Sequence, residues 1–318
     1  MSAAPRIRQW LAGPSADPSV RLRYWSEVEG RPASDARVRS ARRSIGRLGW
    51  AAELLSRQFP DGHWVTRGST GRELYRPKYI ATNWCAIVLG DLGMTRDDRR
   101  IRRAAELILS RWRRDLHGRG AEICITGNAV RTLIRFGYLE HATVQRSIDW
   151  IVDAQKADGG WHCFPSRRGT LDGWEGLAAL AEIPEARRNG SVRRSIERGA
   201  EFFLSRHLME EGRERYGPWF RIHYPNHYYY DVLVGLRILT RLGYGSDPRL
   251  EPALDWLTSK RRPDGTWALD TDHPDIDVRL ADYAPQLPVF PMRLETPNEP
   301  SRWATVEALS VLARRVRS

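Results

Sequence analysis

Only three cysteines, Cys85, Cys124 and Cys163, occur in a chain of 318 residues. That is too few for a disulfide framework and fits a reducing, cytoplasmic compartment. No apolar run approaches the roughly 18 residues that a membrane span needs, which disfavours an integral membrane protein. The opening segment, with Pro5, Arg6, Arg8 and Gly13, lacks the apolar core of a secretory signal. Lysine is scarce as well: of 51 basic residues only Lys78, Lys156 and Lys260 are lysine, a bias that points to genome composition rather than to function. No stretch alternates apolar and polar residues for long enough to read as a run of strands. What is present is a globular balance of 41% hydrophobic and 28% charged residues, with a formal charge of +12 and 13 tryptophans. The charge raises nucleic acid as a partner, but the arginines are dispersed over outer helix faces with no reader motif, which disfavours it.

The tryptophans carry a repeat. Gln58-Phe-Pro-Asp61-Gly62-His-Trp64, Gln155-Lys-Ala-Asp158-Gly159-Gly160-Trp161 and Arg262-Pro-Asp264-Gly265-Thr-Trp267 share one pattern. With Trp112 and Trp219 between them, the successive intervals are 48, 49, 58 and 48 residues. A period near fifty accommodates two helices and two loops, so the unit is predicted to be a helical hairpin. The segment before each Asp-Gly reads as amphipathic, as in Val144, Ile148, Ile151 and Val152 on one face. Asp-Gly then stops the helix, because glycine tolerates a left-handed turn. The segment after each turn is apolar around most of its circumference, which predicts burial on more than one side.

Alternating wetter and buried helices fit an α/α toroid, an inner ring of helices wrapped by an outer one, built from five or six hairpins. Outer helices are predicted near 38–57, 98–112, 143–156, 192–208 and 248–260. Inner helices are predicted near 79–92, 123–137, 171–182, 227–242 and 301–315, with 18–29 as a further helix. The expected organisation is an N-terminal extension over 1–37 and one all-α toroid domain over 38–318. The latter is interrupted by a Pro-rich connection at 268–300, read as either a lid or packing trim.

Gln155-Lys-Ala-Asp-Gly-Gly-Trp161, after a helix and at this spacing, resembles the Q–W repeat of the prenyltransferase and squalene-cyclase (terpenoid cyclase) superfamily. The likeness covers roughly residues 38–318. The segments Cys124-Ile-Thr-Gly-Asn128 and Tyr229-Tyr-Asp-Val-Leu233 look closer to bacterial members outside the two well-known enzyme branches. The resemblance implies an α/α toroid with a central cavity for an apolar, isoprenoid-like substrate, with or without a diphosphate. The chain is then a transferase or a cyclase/lyase, or else a non-catalytic toroid that holds a lipid or a protein partner. The repeat residues themselves are expected to be structural. Gln is expected to bond orphan groups at a neighbouring helix end, and Trp to pack across the junction.

The family's reactive motifs are incomplete here. Class II cyclases protonate an alkene with Asp-x-Asp-Asp; Asp270-Thr-Asp272-His and Asp275-Ile-Asp277-Val each lack the last aspartate, which disfavours that route. Class I enzymes bind magnesium through Asp-Asp-x-x-Asp; the pair Asp97-Asp98 is expected to cap a helix instead. Protein prenyltransferases bind zinc through Asp-x-Cys and a later His; the matching places, Asp172-Gly-Trp174 and His227, lack the cysteine. A different zinc set remains open, because Cys124 and Cys163 fall near inner-helix starts and His162 adjoins Cys163. Cys85 falls near another such start, and all three cysteines are equally read as buried structural residues.

Polar and aromatic residues gather at those same inner-helix starts. Asp172, Glu175, Asp231 and His227 are the candidate catalytic residues, since carboxylates among aromatic walls are desolvated. For Asp172 and Asp231 a plain N-cap role competes. Trp84, Asn128, Trp174, Tyr228, Tyr229, Tyr230 and Trp303 are the candidate substrate-binding residues, with aromatic faces suited to an apolar or cationic species.

Overall fold

Amphipathic and fully apolar helices alternate along the chain where the periodicity predicts them. The computed structural model describes residues 5–211, 215–272 and 294–317. Its fold class is all-α. The described helices are α1 (Pro5–Ala12), α2 (Pro18–Arg23), α3 (Ala36–Ser44), α4 (Gly49–Ser56), α5 (Thr82–Asp91), α6 (Arg99–Arg111) and α7 (Ile123–Phe136). They continue with α8 (Ala142–Asp153), α9 (Glu175–Ala181), α10 (Gly190–Leu204), α11 (Val232–Arg241), α12 (Glu251–Ser259) and α13 (Arg302–Arg317). Among the described residues no helix is long and apolar enough to cross a membrane.

The chain divides into two compact units. One is Leu54–Phe203; the other joins residues 5–53 to the described residues from 204 onward. In the first unit the alternation is plain. Every residue of α5 is buried, whereas α6 buries only the stripe Ile101, Ala104, Ala105, Ile108 and Leu109. Asp98 starts α6 as its N-cap, accepting the Arg100 amide at 2.8 Å, the helix-capping role expected at the Asp97-Asp98 pair.

The repeat motif is one wiring diagram used three times. Trp64, Trp161 and Trp267 are buried, and each indole Nε1–H donates to the carbonyl ten residues earlier: Leu54 at 2.9 Å, Ile151 at 2.8 Å and Leu257 at 2.7 Å. Each acceptor is the third residue from the end of its helix, where carbonyls lack an i+4 partner. The orphan groups are therefore satisfied by tryptophan. Glutamine, expected to bond groups at a neighbouring helix end, does reach a neighbouring helix, at carbonyls that lie within it. Gln58 and Gln155 each donate to their own turn, Gly62 and Gly159, and to a carbonyl inside the next outer helix, Arg100 at 3.0 Å and Ser195 at 2.9 Å. In the third copy Arg261 replaces glutamine and reaches only the turn, at Gly265. The Asp of each turn accepts the amide two residues on, at His63, Gly160 and Thr266. The Gly that follows has φ of 101°, 91° and 86°, a region closed to most side chains.

The second unit is held at its N-terminal end by ions. Arg23, on the segment predicted as an extra helix near 18–29, pairs with Glu27 at 3.0 Å and with buried Glu307 at 3.0 Å. Arg237 of α11 also meets Glu307, and Arg314 meets Glu27 at 2.6 Å. Burial alone would raise the Glu27 carboxyl, but Arg23, Arg314, Arg237 and Arg241 outweigh it and hold it at about 2. Residues 5–29 are thereby packed into this unit. Arg23 lies 4.7 Å from the Trp303 ring centroid as well.

Several boundaries differ from expectation. The helix predicted over 38–57 is two helices, α3 and α4, because Gly46 and Gly49 take φ of 75° and 71° between them. The inner helix expected over 227–242 begins only at Val232, after the cap residue Asp231. The one expected over 171–182 opens with a tight turn, Leu171–Gly173, before α9. Helix α1 was not foreseen. Neither was the pairing of β1 (Trp267–Ala268) with β2 (Pro300–Ser301), two residues each, antiparallel. Of the Pro-rich connection, residues 273–293 lie outside the described residues, and Asp275 and Asp277 with them. Asp270 is described, and it accepts the Ile222 amide and Lys260, both at 2.7 Å, which is a structural role.

Candidate functional site

Within Leu54–Phe203, helices α7 and α9 cross where neither has room for more. A Cβ on Gly127 would lie 2.6 Å from the Glu175 carbonyl oxygen and 2.7 Å from the Glu175 Cβ. Glycine at 127 thus admits the first residue of α9 against α7. Glu175 is completely buried there, and neither carboxylate oxygen has a hydrogen-bond partner among the described residues. Burial pushes its carboxyl well above the usual carboxylate range, and nearby Cys163 and Asp172 add to the rise, against opposition from its own backbone amide and from Arg131.

Around it stand most of the residues singled out in this half of the sequence. Cys124 lies in the first turn of α7 and Cys163 in the loop after α8; each influences the other's thiol, with Cys124 pushed up and Cys163 drawn down. Cys124 also lies 3.7 Å from the Glu122 carboxylate. Asn128 donates to the Cys124 carbonyl at 2.8 Å and accepts from Arg131 Nε at 2.8 Å. Arg131 in turn sits 5.0 Å from the Trp174 ring centroid and 3.5 Å from Asp91. One face of Trp174 is therefore already engaged by a cation. Asp172 is half-buried in the turn that leads into α9, where its backbone amide donates to the Thr170 hydroxyl at 3.3 Å.

Other candidates are consumed by structure. Trp84 is buried and donates to the Tyr75 carbonyl at 2.8 Å, packed by Tyr75 and Tyr79. Cys85 donates to the Ile80 carbonyl at 3.3 Å. His162 Nδ1 accepts the Phe164 amide at 3.0 Å. Among the described residues no group of three or more His, Cys, Asp or Glu is arranged to hold a metal ion, so Cys124, Cys163 and His162 do not fit the zinc set considered from sequence.

In the other unit Asp231 is the N-cap of α11. Its Oδ1 accepts the Val234 amide at 2.7 Å, and its Oδ2 meets the His223 amide at 3.2 Å and His223 Nδ1 at 3.0 Å. Of the two roles weighed for Asp231, the cap is the one its geometry displays. Asp231→Ala is expected to cost about 2–4 kcal/mol, the cap bond plus the buried bonds to the His223 amide and ring. Urea denaturation measures it, and an unchanged midpoint would show the cap to be unimportant. Asp231→Asn should recover most of the loss by keeping the cap.

Tyr230 donates to the Leu208 carbonyl at 2.9 Å and is closed to solvent. Tyr228 and Tyr229 are half-buried and His227 is buried. Trp303 packs at 4.4 Å from Tyr224, ring centroid to centroid. Asp172, Glu175, Trp174 and Asn128 thus belong to one unit, and Asp231, His227, Tyr228, Tyr229, Tyr230 and Trp303 to the other.

Sequence reasoning missed Arg131, Gly127 and His223. An arginine within the buried run of α7, three residues after Asn128, was a readable signal. His223 had none, because it lies outside α11 in a segment with no regular period. A groove of about 670 Å³ also lies along α6 and α8, with Arg103, Arg113, Arg146 and Tyr138 among its walls.

No protein-family model matches the chain, and no curated protein matches it. Among solved structures, a protein from Actinoplanes is 15% identical, with 96% of this chain and 91% of that one covered and a TM-score of 0.42. The apo type II terpene cyclase MstE from Scytonema is 16% identical, with 96% and 88% covered and a TM-score of 0.43. A variant of that cyclase in complex with geranylgeranyl dihydroxybenzoate is 13% identical, with 83% and 93% covered and a TM-score of 0.31.

Proposed function

We propose that the protein binds an apolar, isoprenoid-like substrate and that Glu175 acts on it as a proton donor. The observation that carries this reading is the state of Glu175: a carboxyl buried completely, without a hydrogen-bond partner among the described residues, and pushed by that burial well above the usual carboxylate range. Protonating an alkene carbon needs an acid that still holds its proton at neutral pH and faces no competing water. The superfamily's usual acid motif is incomplete in this chain, and burial at Glu175 supplies such a group by another route. The tryptophan wiring, repeated three times with glutamine beside it in two copies, supports the terpenoid-cyclase-like reading of the scaffold.

The reaction that fits this donor begins with transfer of the Glu175 proton to a terminal double bond. Cyclisation through the resulting cation follows, and loss of a proton leaves a product isomeric with the substrate. The test is incubation of the full-length protein with linear isoprenoids, with and without a diphosphate head, in deuterated water. The expected product is an isomer carrying one solvent deuterium. A second reading, a scaffold that holds a lipid without reacting it, is favoured by the internal bonding of Asp231, Asn128, Trp84 and Tyr230. It predicts retained isoprenoid and no deuterated product.

A further inference from the structure

We propose that the groove along α6 and α8 binds a phosphorylated small molecule, held by Arg103, Arg113 and Arg146 with Tyr138 as a further donor. The groove lies wholly within Leu54–Phe203, and its volume of about 670 Å³ falls in the range of small-molecule sites. Its three arginines come from separate elements: Arg103 from α6, Arg113 from the segment that follows and Arg146 from α8. None of the three guanidiniums has an ion-pair or hydrogen-bond partner among the described residues.

The repeat supplies an internal comparison for Arg103. Gln58 bonds the Arg100 carbonyl and Gln155 the Ser195 carbonyl, so Arg103 and Arg198, each three residues on, hold equivalent places. Both back onto the glycine of the preceding turn. A Cβ on Gly62 would lie 3.0 Å from the Arg103 Cβ, and one on Gly159 2.4 Å from the Arg198 carbonyl oxygen. Arg198 closes its turn, donating to the Lys156 carbonyl at 2.7 Å and the Ala157 carbonyl at 3.3 Å. Arg103 makes no such bond to the matching carbonyls of Phe59 and Pro60, and its guanidinium is left to the groove. The far side of α8 gives the same contrast. A depression of only about 60 Å³ there has Arg187 in its wall, and Arg187 is taken by Glu140 at 2.6 Å.

Little inside the groove competes with an anion. Asp61 is already met by His63 at 3.3 Å and by Arg67 at 3.5 Å. Glu106 is then the one lining carboxylate without a cation among the described residues, against three guanidiniums. That balance favours a doubly charged anion. Burial raises the Tyr138 phenol, Glu106 adding to the rise against Arg96 and Arg102, so its hydroxyl keeps the hydrogen and donates. The start of α8 contributes nothing of its own, because His141 Nδ1 already accepts the Thr143 amide at 3.2 Å. Recognition therefore falls to planar guanidiniums, whose paired N–H groups match phosphoryl oxygens two at a time. Leu107 and Leu109 provide apolar wall for the organic part of the ligand.

The test is isothermal titration calorimetry of the full-length protein with inorganic phosphate and with phenyl phosphate. One equivalent of phenyl phosphate is expected to bind, more tightly than inorganic phosphate because its ring covers the apolar wall. Arg103→Gln and Arg146→Gln should each weaken that binding by about 10- to 100-fold, the usual loss for a hydrogen bond to a charged group. Both should keep the wild-type urea midpoint, since no group in the fold bonds either guanidinium. Arg99→Gln removes the same charge from an exposed position of α6 outside the groove, and it should leave binding unchanged. No binding at millimolar probe, an equal loss in Arg99→Gln, or phenyl phosphate held no better than inorganic phosphate would each overturn the proposal. Neither probe carries an isoprenoid chain and the readout is binding alone, so the result is independent of Glu175.

Discussion

Glu175→Gln is expected to remove turnover of an isoprenoid substrate by about 10²–10⁴-fold while leaving the fold intact, because an amide keeps the shape and cannot donate an acidic proton. Its second consequence is read without any substrate. In the unfolded chain Glu175 ionises near the ordinary carboxylate value; in the folded chain it holds its proton to a much higher pH. Between those two values the folded state binds a proton that the unfolded state has lost. Stability therefore falls as pH rises through the window, by about 1.4 kcal/mol per pH unit for one group. Below the window both states are protonated and the penalty is absent. Glutamine has no such term, so the difference in stability between variant and wild type should move in favour of the variant from pH 4 to pH 7. Its unpaired amide adds a constant cost of about 1–3 kcal/mol, which shifts the curve without tilting it. Urea midpoints measured across that range decide the matter. A difference that stays flat with pH would mean that Glu175 is ionised in the folded protein, and the proposed acid would be gone.

How far these features were legible from sequence depends on whether they are local. The Asp-Gly turns, the stripe on α6 and the burial of α5 on every side follow from spacing and composition, and they appear where the sequence puts them. The break between α3 and α4 was signalled by two glycines but overridden in reading by the continuing apolar period. The late start of α11 has a non-local cause, since Asp231 is fixed by His223 as well as by its own helix. The same distinction holds at the candidate site. Glu175 was found because a carboxylate at the start of a buried helix is conspicuous. Its lack of a hydrogen-bond partner, and its crossing point at Gly127, depend on how α7 meets α9, which no periodicity encodes. The three cysteines and His162 are legible as a group at inner-helix starts, but packing gives Cys124, Cys85 and His162 separate partners in Glu122, the Ile80 carbonyl and the Phe164 amide.

Trp161→Ala is expected to be among the most damaging single changes in the chain, costing about 3–5 kcal/mol. The indole is wholly buried and α9 and α10 are shaped to it: a Cβ on Gly176 would come within 2.5 Å of the ring, and one on Gly199 within 2.9 Å. Alanine would leave a cavity whose walls are backbone and cannot collapse cheaply. It would also strip the Ile151 carbonyl of its indole donor at the end of α8. Trp161→Phe separates the two contributions, because it retains most of the apolar bulk and removes the N–H, and it should cost only about 1–2 kcal/mol. If bulk dominates, the alanine variant falls well below the phenylalanine one in a urea melt; if the carbonyl bond dominates, the two coincide. The first ordering is expected. In Gly176 and Gly199 two neighbouring helices give up side chains to seat this ring, whereas the bond it donates is one that water could replace at a frayed helix end. The same substitution at Trp267 tests whether the third repeat, which uses Arg261 where the others use glutamine, relies on its tryptophan to the same degree.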